Sequence, residues 1–165
     1  MIDKIKEARE FALRAHKDQL YGQEPYIYHL DQVVAILADY GEEAQIIGYL
    51  HDTVEDTDTS ADEIETRFGK SVAEAVKILT DEPGQTREYR KKLTYTKMAK
   101  VKGFAEVALI VKAADRLANI RACLDWNRQD KLQMYQAEHK VFRAAVFRKN
   151  LCDSIWKEID SIMVA

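Results

Sequence analysis

Four residues with acid–base and metal-binding side chains lie close together near the middle of the sequence. His51 and Asp52 are adjacent, and Glu55 and Asp56 follow within about one helical turn. Because residues three and four apart share one side of an α-helix, a helix through this segment would carry all four groups on one broad face. Beside the imidazole, three carboxylates at a helix C-terminus repel one another and the negative end of the helix dipole. A bound divalent cation would relieve that repulsion.

The alternative interpretation of this segment is a solvated acidic helix end, which is a common feature of protein surfaces. The preceding residues 46–50 are mostly apolar, and they favour a largely buried helix instead. On spacing alone, the metal site and the solvated helix end both stay open.

A single acidic residue interrupts an apolar stretch later in the chain. Asp115 follows the apolar run 107–114, in which Lys112 is the only charged residue. A buried carboxylate is costly unless it is paired or bound to a metal, so a metal and an ion pair with Lys112 or Arg116 are the two alternatives. Asn119 lies one turn further on the same helical face, where it can orient a ligand or cap a buried carbonyl.

A histidine follows a rigid turn in the first third of the chain. His29 lies four residues after Pro25, at the start of a predicted helix. A lone histidine in such a place is usually structural, but here it completes a set of two imidazoles and two carboxylates. Nitrogen and oxygen ligands of this kind suit Mn²⁺, Fe²⁺, Zn²⁺ or Mg²⁺. The candidate metal ligands are His29, His51, Asp52 and Asp115.

The overall composition excludes several classes of partner. With 25 basic against 28 acidic residues, a net charge of -3 lacks the basic excess that nucleic acid or an anionic membrane demands. No apolar run approaches the roughly 18–20 residues of a membrane span, and the charged start of the chain is unlike a secretory signal. Cys123 and Cys152 have no metal-ligand spacing, so we expect a reduced, cytoplasmic protein.

The elements that must position these residues are predicted to be helices. The chain has only 2 prolines and 6 glycines, and its apolar residues recur at helical spacing without sustained alternation of period two. The predicted fold class is therefore all-α, with one domain over residues 1–165. The predicted helical regions are 2–18, 28–40, 42–54, 60–69, 71–79, 86–101, 104–124 and 131–164, the last as one long helix or two.

The order of the candidate ligands along the chain, His, then His-Asp, then Asp, resembles that of the HD-domain phosphohydrolases. Longer segments are similar to the hydrolase domain of the RelA/SpoT family, which includes the small single-domain alarmone hydrolases of the Mesh1 type. The resemblance is strongest over residues 5–150. The segments that carry it are Ala15-His16-x-x-Gln19, Pro25-Tyr-Ile-x-His29, His51-Asp-Thr-Val-Glu-Asp-Thr57, Phe68-Gly69 and Lys112-x-x-Asp-Arg-Leu-x-Asn119.

This resemblance implies an all-helical HD hydrolase that removes the 3′-pyrophosphate from guanosine 3′,5′-bis(diphosphate), ppGpp, or from pppGpp. The products would be GDP or GTP and pyrophosphate. Glu55 and Asp56 match the family's acidic catalytic pair beside the metal, and Asn119 matches a residue near the substrate's ribose and phosphates. The resemblance also implies a bound metal, usually Mn²⁺, with the ligands His29, His51, Asp52 and Asp115.

The sequence departs from this family in the turn before His29. The family has a longer, basic segment there, with an arginine that packs on the purine, whereas residues 20–24 contain no lysine or arginine. Leu30 also stands where the family has a proline. Tyr21 can stack on a base instead, or it is only a half-buried turn residue. An adenosine alarmone such as ppApp, or another nucleotide, is therefore an alternative substrate.

Basic residues are needed to bind substrate phosphates. The preferred candidates are Lys112 and Arg90, the latter in a segment where the family has an Arg-Lys pair. Solvated helix faces are the alternative explanation for these and for the other basic candidates: Arg87, Lys91, Lys97 and Arg116. The expected partner is a small nucleotide, with the oligomeric state open. A non-catalytic nucleotide-binding HD module is the alternative to an enzyme.

Overall fold

Helices make up nearly all the regular structure of the computed structural model, which describes residues 1–164, and the predicted all-α fold is confirmed. Two short antiparallel strands, β1 (Leu20–Tyr21) and β2 (Glu24–Pro25), form a hairpin between the first two helices. A 3-10 helix spans Gly103–Glu106. The α-helices are α1 (Lys4–His16), α2 (Tyr26–Ile36), α3 (Glu42–Leu50), α4 (Thr53–Asp56), α5 (Ala61–Phe68), α6 (Lys70–Leu79), α7 (Arg87–Ala99), α8 (Val107–Asp125), α9 (Gln129–Val146) and α10 (Asp153–Met163).

The long helix α8 lies at the centre of the fold. It contacts α2, α3, α6, α9 and α10, and most of its residues are buried. A helix that is apolar on nearly all sides is usually buried in a core, and α8 has this pattern except at a few positions. Three charged residues of α8 are nevertheless buried and must find partners inside the protein: Lys112, Asp115 and Arg116.

Several helix boundaries follow local sequence signals. Asp3 accepts hydrogen bonds from the first backbone amides of α1, and Thr86 does the same for α7. Ser60 caps α5 in the same way, because its hydroxyl accepts a bond from the Glu63 amide. Side chains of this type satisfy amides that lack a partner within the helix. These boundaries were therefore predictable from neighbouring residues alone.

The prediction of one continuous helix over residues 42–54 is wrong. Helix α3 ends at Leu50, and α4 begins as a separate single turn at Thr53. The Thr53 hydroxyl donates to the Leu50 carbonyl, and His51 Nδ1 donates to the Gly48 carbonyl. Side chains thus replace the backbone amides that would have continued the ladder, and the chain changes direction at His51 and Asp52.

The region 131–164 contains two helices rather than one. The break between α9 and α10 lies at residues 147–152, where Asn150 has a positive φ of 66°. Across residues 1–164, none of the helices is both long and apolar enough to span a membrane. Cys123 and Cys152 are buried free thiols.

Gly48 allows α3 to pack closely on the end of α2. A Cβ atom there would lie 2.8 Å from Leu37 Cδ1 and 3.0 Å from Val34 Cγ2, and both neighbours are buried. Alanine normally stabilises a helix by about 1 kcal/mol relative to glycine, but overpacking a core costs about 1–3 kcal/mol. We expect Gly48→Ala to lower the free energy of unfolding by up to about 2 kcal/mol in urea denaturation. An unchanged or higher urea midpoint would contradict the close packing.

Candidate metal centre

The four candidate metal ligands come from three separate parts of the fold and converge at one point. His29 lies on α2, Asp115 lies on α8, and His51 and Asp52 form the break between α3 and α4. One ligand atom from each residue lies within 4.8 Å of all the others. The bend that ends α3 is therefore what turns both His51 and Asp52 toward the other two residues.

The distances between the histidine nitrogens and the carboxylate oxygens fit a single ion. His51 Nε2 lies 3.0 Å from Asp52 Oδ2 and 3.4 Å from Asp115 Oδ1, while His29 Nε2 lies 3.1 Å from Asp115 Oδ1 and 4.0 Å from Asp52 Oδ2. Ligands at about 2.0–2.2 Å from an ion are at most about 4.4 Å apart, and about 3 Å apart at right angles. Two imidazoles and two carboxylates suit a borderline or hard divalent cation.

The orientation of the His51 ring is determined by the backbone. The side chain is only 1% exposed, and its Nδ1 donates to the Gly48 carbonyl oxygen at 2.7 Å. A histidine that holds its proton on Nδ1 presents Nε2 as the free lone pair when it is neutral. This hydrogen bond therefore aims Nε2 at the two carboxylates.

Hydrogen bonds from neighbouring side chains hold the carboxylates. The Tyr26 hydroxyl donates to Asp52 Oδ2 at 2.6 Å, and Asn119 Nδ2 donates to Asp115 Oδ1 at 3.0 Å. Lys112 Nζ pairs with the other oxygen of Asp115, Oδ2, at 3.1 Å. The ion pair with Lys112 and a ligand role for Asp115 are thus compatible, because each uses a different carboxylate oxygen.

The charges around these residues keep the carboxylates ionised. Burial raises the pKa of Asp115, but the charge of Lys112 and the neighbouring imidazoles of His29 and His51 together outweigh it and hold that pKa well below its usual range. Burial likewise opposes ionisation of Asp52, whereas the adjacent His51 lowers the pKa of its carboxyl group. Both carboxylates are consequently negative at neutral pH and able to bind a cation.

Glu55 and Asp56 lie on α4 and line the same cleft as three of the candidate ligands, His29, Asp52 and Asp115. Glu55 Oε1 accepts a hydrogen bond from the Asp81 amide at 2.6 Å, and Asp56 Oδ2 accepts one from Gln19 Nε2 at 3.1 Å. Burial is the largest cause of a raised pKa for both carboxyl groups. The expectation that they share one helix face with His51 is wrong, because α4 is separate from α3.

The cleft has a volume of about 200 Å³ and is lined by polar side chains. Four cationic side chains also line it, two from α7 and two from α8. Basic groups beside a divalent ion form a favourable setting for a polyphosphate anion. The residues that line the cleft are Tyr26, His29, Asp52, Glu55, Asp56, Arg87, Lys91, Lys112, Asp115, Arg116, Asn119 and Tyr135.

The basic residues of α7 face in different directions. Arg87 and Lys91 are four residues apart, so they share a helix face, and both line the cleft. Arg90 lies outside that lining, and its guanidinium donates to the Gly84 carbonyl at 3.1 Å. The substrate-binding role of Arg90 stays a prediction. Tyr135 was missed by the sequence analysis, because a tyrosine on an amphipathic helix carries no distinguishing signal.

Comparison with known proteins gives a consistent picture. Residues 8–144 match the family described as HD domain. The chain is 37% identical over 131 residues to the guanosine-3′,5′-bis(diphosphate) 3′-pyrophosphohydrolase MESH1 of Homo sapiens, with 75% of this chain and 70% of that protein covered. It is 37% identical over 151 residues to the MESH1 of Xenopus tropicalis, with coverages of 84% and 83%.

A longer bacterial protein and a solved structure are also similar. The guanosine-3′,5′-bis(diphosphate) 3′-pyrophosphohydrolase of Aquifex aeolicus is 30% identical over 149 residues, with 88% of this chain and 21% of that protein covered. A solved structure described as "A metazoan ortholog of SpoT hydrolyzes ppGpp and plays a role in starvation responses" superposes with a TM-score of 0.73 at 26% identity. The match covers 96% of this chain and 97% of that chain.

Proposed function

This chain belongs to the HD-domain family, and from that premise we propose that it is a hydrolase that removes the 3′-pyrophosphate from ppGpp and pppGpp. The products are GDP or GTP and pyrophosphate. The observation that carries the proposal is the acidic pair Glu55 and Asp56 in one cleft with His29, Asp52 and Asp115, which cluster with His51 as candidate ligands. The MESH1 relatives from Homo sapiens and Xenopus tropicalis are pyrophosphohydrolases of this substrate.

We propose Mn²⁺ as the ion, because a mixture of imidazole and carboxylate ligands suits it. The residues that would hold it are His29, His51, Asp52 and Asp115. When bound, a divalent ion lowers the pKa of a water molecule and polarises a phosphoryl oxygen.

Glu55 is the proposed general base. Its carboxylate is held by the Asp81 amide, and burial raises its pKa, which makes it a better proton acceptor than an exposed glutamate. It takes a proton from the water whose oxygen bonds to the phosphorus next to the ribose 3′ oxygen. The bond between that phosphorus and the 3′ oxygen breaks, and the proton passes to the 3′ oxygen, which leaves as the 3′ hydroxyl of GDP or GTP. Asp56, held by Gln19, acts beside it in orienting that water.

The cationic wall of the cleft is the proposed phosphate-binding surface. Arg87 and Lys91 on α7, with Lys112 and Arg116 on α8, offset the negative charge of the pyrophosphate. Asn119 is the proposed contact to the ribose side of the substrate.

An adenosine alarmone such as ppApp is the second candidate substrate. The observation that favours it is the short hairpin at residues 20–25, which contains no lysine or arginine to pack on a guanine. The metal centre and the acidic pair serve either base equally, because both act on the phosphates.

Pyrophosphate release from a panel of nucleotides tests these proposals. Metal-free protein is loaded with Mn²⁺ and incubated separately with ppGpp, pppGpp, ppApp, GTP and ATP. We expect release from ppGpp and pppGpp, with little from GTP or ATP, which lack a 3′-pyrophosphate. Preferential release from ppApp would favour the adenosine alternative. Metal binding with no pyrophosphate from any nucleotide would favour a non-catalytic HD module.

We further propose that residues 1–165 form one hydrolase domain and that the protein is cytoplasmic. One continuous hydrophobic core includes residues from α1 through α10. Cys123 and Cys152 are buried thiols, which suits a reducing compartment.

A further inference from the structure

The hairpin between α1 and α2 reaches the metal centre through Tyr21. The Tyr21 ring stacks on the ring of His29, with centroids 4.5 Å apart and an angle of 22° between the planes. Trp126 packs against Tyr21 as well, with its centroid at 5.5 Å and an angle of 53°. Tyr21 is therefore held between a candidate metal ligand and the tryptophan that follows α8.

The Tyr21 hydroxyl is also linked, through hydrogen bonds of Asn119, to a second candidate ligand, Asp115. It donates to Asn119 Oδ1 at 2.6 Å, and Asn119 Nδ2 donates to Asp115 Oδ1 at 3.0 Å. The carboxylate accepts hydrogen bonds only, so the amide must turn its NH₂ group toward Asp115 and its oxygen toward Tyr21. A tyrosine hydroxyl is the donor that this oxygen requires.

The backbone of the hairpin holds Tyr21 in this position. Tyr21 pairs with Glu24 across the hairpin, and the Tyr26 amide donates to the Gln19 carbonyl at 3.0 Å. Gly22 has a positive φ of 62°, and a Cβ atom there would lie 2.7 Å from Trp126 Cζ3. Only glycine fits both the conformation and the close approach, so the turn is tightly packed against Trp126.

We propose that Tyr21 is a positioning residue of the metal centre. It fixes the ring plane of His29 by stacking, and it fixes the Asp115 carboxylate through Asn119. The proposal rests on the proposed function only in taking His29 and Asp115 as metal ligands. It gives Tyr21 a role different from stacking on a substrate base, because His29 and Trp126 already occupy its ring.

The test is the Mn²⁺ affinity of Tyr21→Phe, measured by calorimetric titration of the metal-free protein. Phenylalanine keeps the ring on His29 but removes the donor to Asn119. We expect the Mn²⁺ dissociation constant to rise about 10–100-fold, as is typical when a group that orients a metal ligand is lost. The electron paramagnetic resonance spectrum of bound Mn²⁺ should change as well, since the Asp115 carboxylate is less restrained.

The matched control is Tyr28→Phe. Tyr28 stacks on the same Trp126, with centroids 5.9 Å apart, and its hydroxyl makes no hydrogen bond to any of residues 1–164. We expect this variant to bind Mn²⁺ with wild-type affinity. Equal weakening by both variants would assign the effect to the aromatic cluster and overturn the proposal.

A double variant tests whether Tyr21 acts through Asn119. If it does, Tyr21→Phe combined with Asn119→Ala weakens Mn²⁺ binding no more than the stronger single variant. Additive effects, or wild-type affinity in Tyr21→Phe, would overturn the proposal. Circular dichroism of the metal-free proteins establishes that each variant folds. These readouts need no nucleotide, so a wild-type protein that binds Mn²⁺ but leaves ppGpp intact would contradict the proposed function alone.

Discussion

Replacing Asp115 is expected to abolish tight metal binding and to lower kcat/KM for ppGpp by about 10³-fold or more. Its Oδ1 atom lies 3.1 Å from His29 Nε2 and 3.4 Å from His51 Nε2, so it faces both imidazoles. A metal ion contributes several kcal/mol to the stabilisation of a phosphoryl-transfer transition state, and each 1.36 kcal/mol is about tenfold in rate. Metal content and pyrophosphate release are the two measurements.

The choice of substitution must allow for Lys112. Its side chain is 10% exposed and its ammonium group pairs with Asp115, so alanine at position 115 would leave a buried charge without a partner and destabilise the fold. Asp115→Asn with Lys112→Met removes the ligand and the stranded charge together. Comparison with Lys112→Met alone then isolates the loss of the ligand. Thermal melting of each metal-free variant establishes that it is folded.

A histidine–aspartate pair outside the lining of the cleft supplies a matched control. His139 Nε2 and Asp160 Oδ1 are 2.9 Å apart, between α9 and α10. Asp160→Asn should leave Mn²⁺ affinity and turnover unchanged, because this pair lies outside the candidate centre. An Asp115 variant that retains one tightly bound Mn²⁺ and wild-type turnover would show that the four residues are not the functional metal site.

Glu55→Gln is expected to lower kcat for ppGpp about 10²–10⁴-fold while Mn²⁺ affinity and KM change little. Glutamine has the same size and can still accept the hydrogen bond from the Asp81 amide, but it cannot take up a proton at neutral pH. Glu65→Gln, on the exposed side of α5, is the matched control and should retain wild-type kcat.

The pH dependence of kcat gives this prediction a second readout. Burial raises the pKa of Glu55, so the wild-type rate should fall as the pH drops through that raised pKa and the carboxylate becomes protonated. The residual rate of Glu55→Gln should lack this decrease. Full activity in Glu55→Gln would indicate that Asp56 is the general base, and Asp56→Asn would then lose turnover. Full activity in both variants would refute the acidic pair.

Much of the helical framework could be predicted because its signals are local. The apolar spacing of α8 and the caps at Ser60 and Thr86 depend on residues within one or two turns of one another. The break after Leu50 could not be predicted in that way. It depends on Thr53 and His51 side chains bonding to carbonyls of α3, which helical periodicity does not report.

The candidate site could likewise be predicted only in part from the sequence. Residue types and short spacings identified the His51–Asp52 pair and the acidic pair, and the two-imidazole, two-carboxylate chemistry followed from the types of the candidate ligands. The meeting of His29 with Asp115, 86 positions apart in the chain, depends on how α2 packs against α8.

The fold class, the ligand chemistry and the family resemblance could be predicted, because each is encoded in residue types and in neighbours along the chain. The packing of the helices was needed to show that Arg87 and Lys91, rather than Arg90, line the cleft, and that Tyr21 bonds to Asn119. Local preferences act over only a few residues. Which side of a helix packs against another helix depends instead on the burial of apolar side chains that are far apart in the sequence.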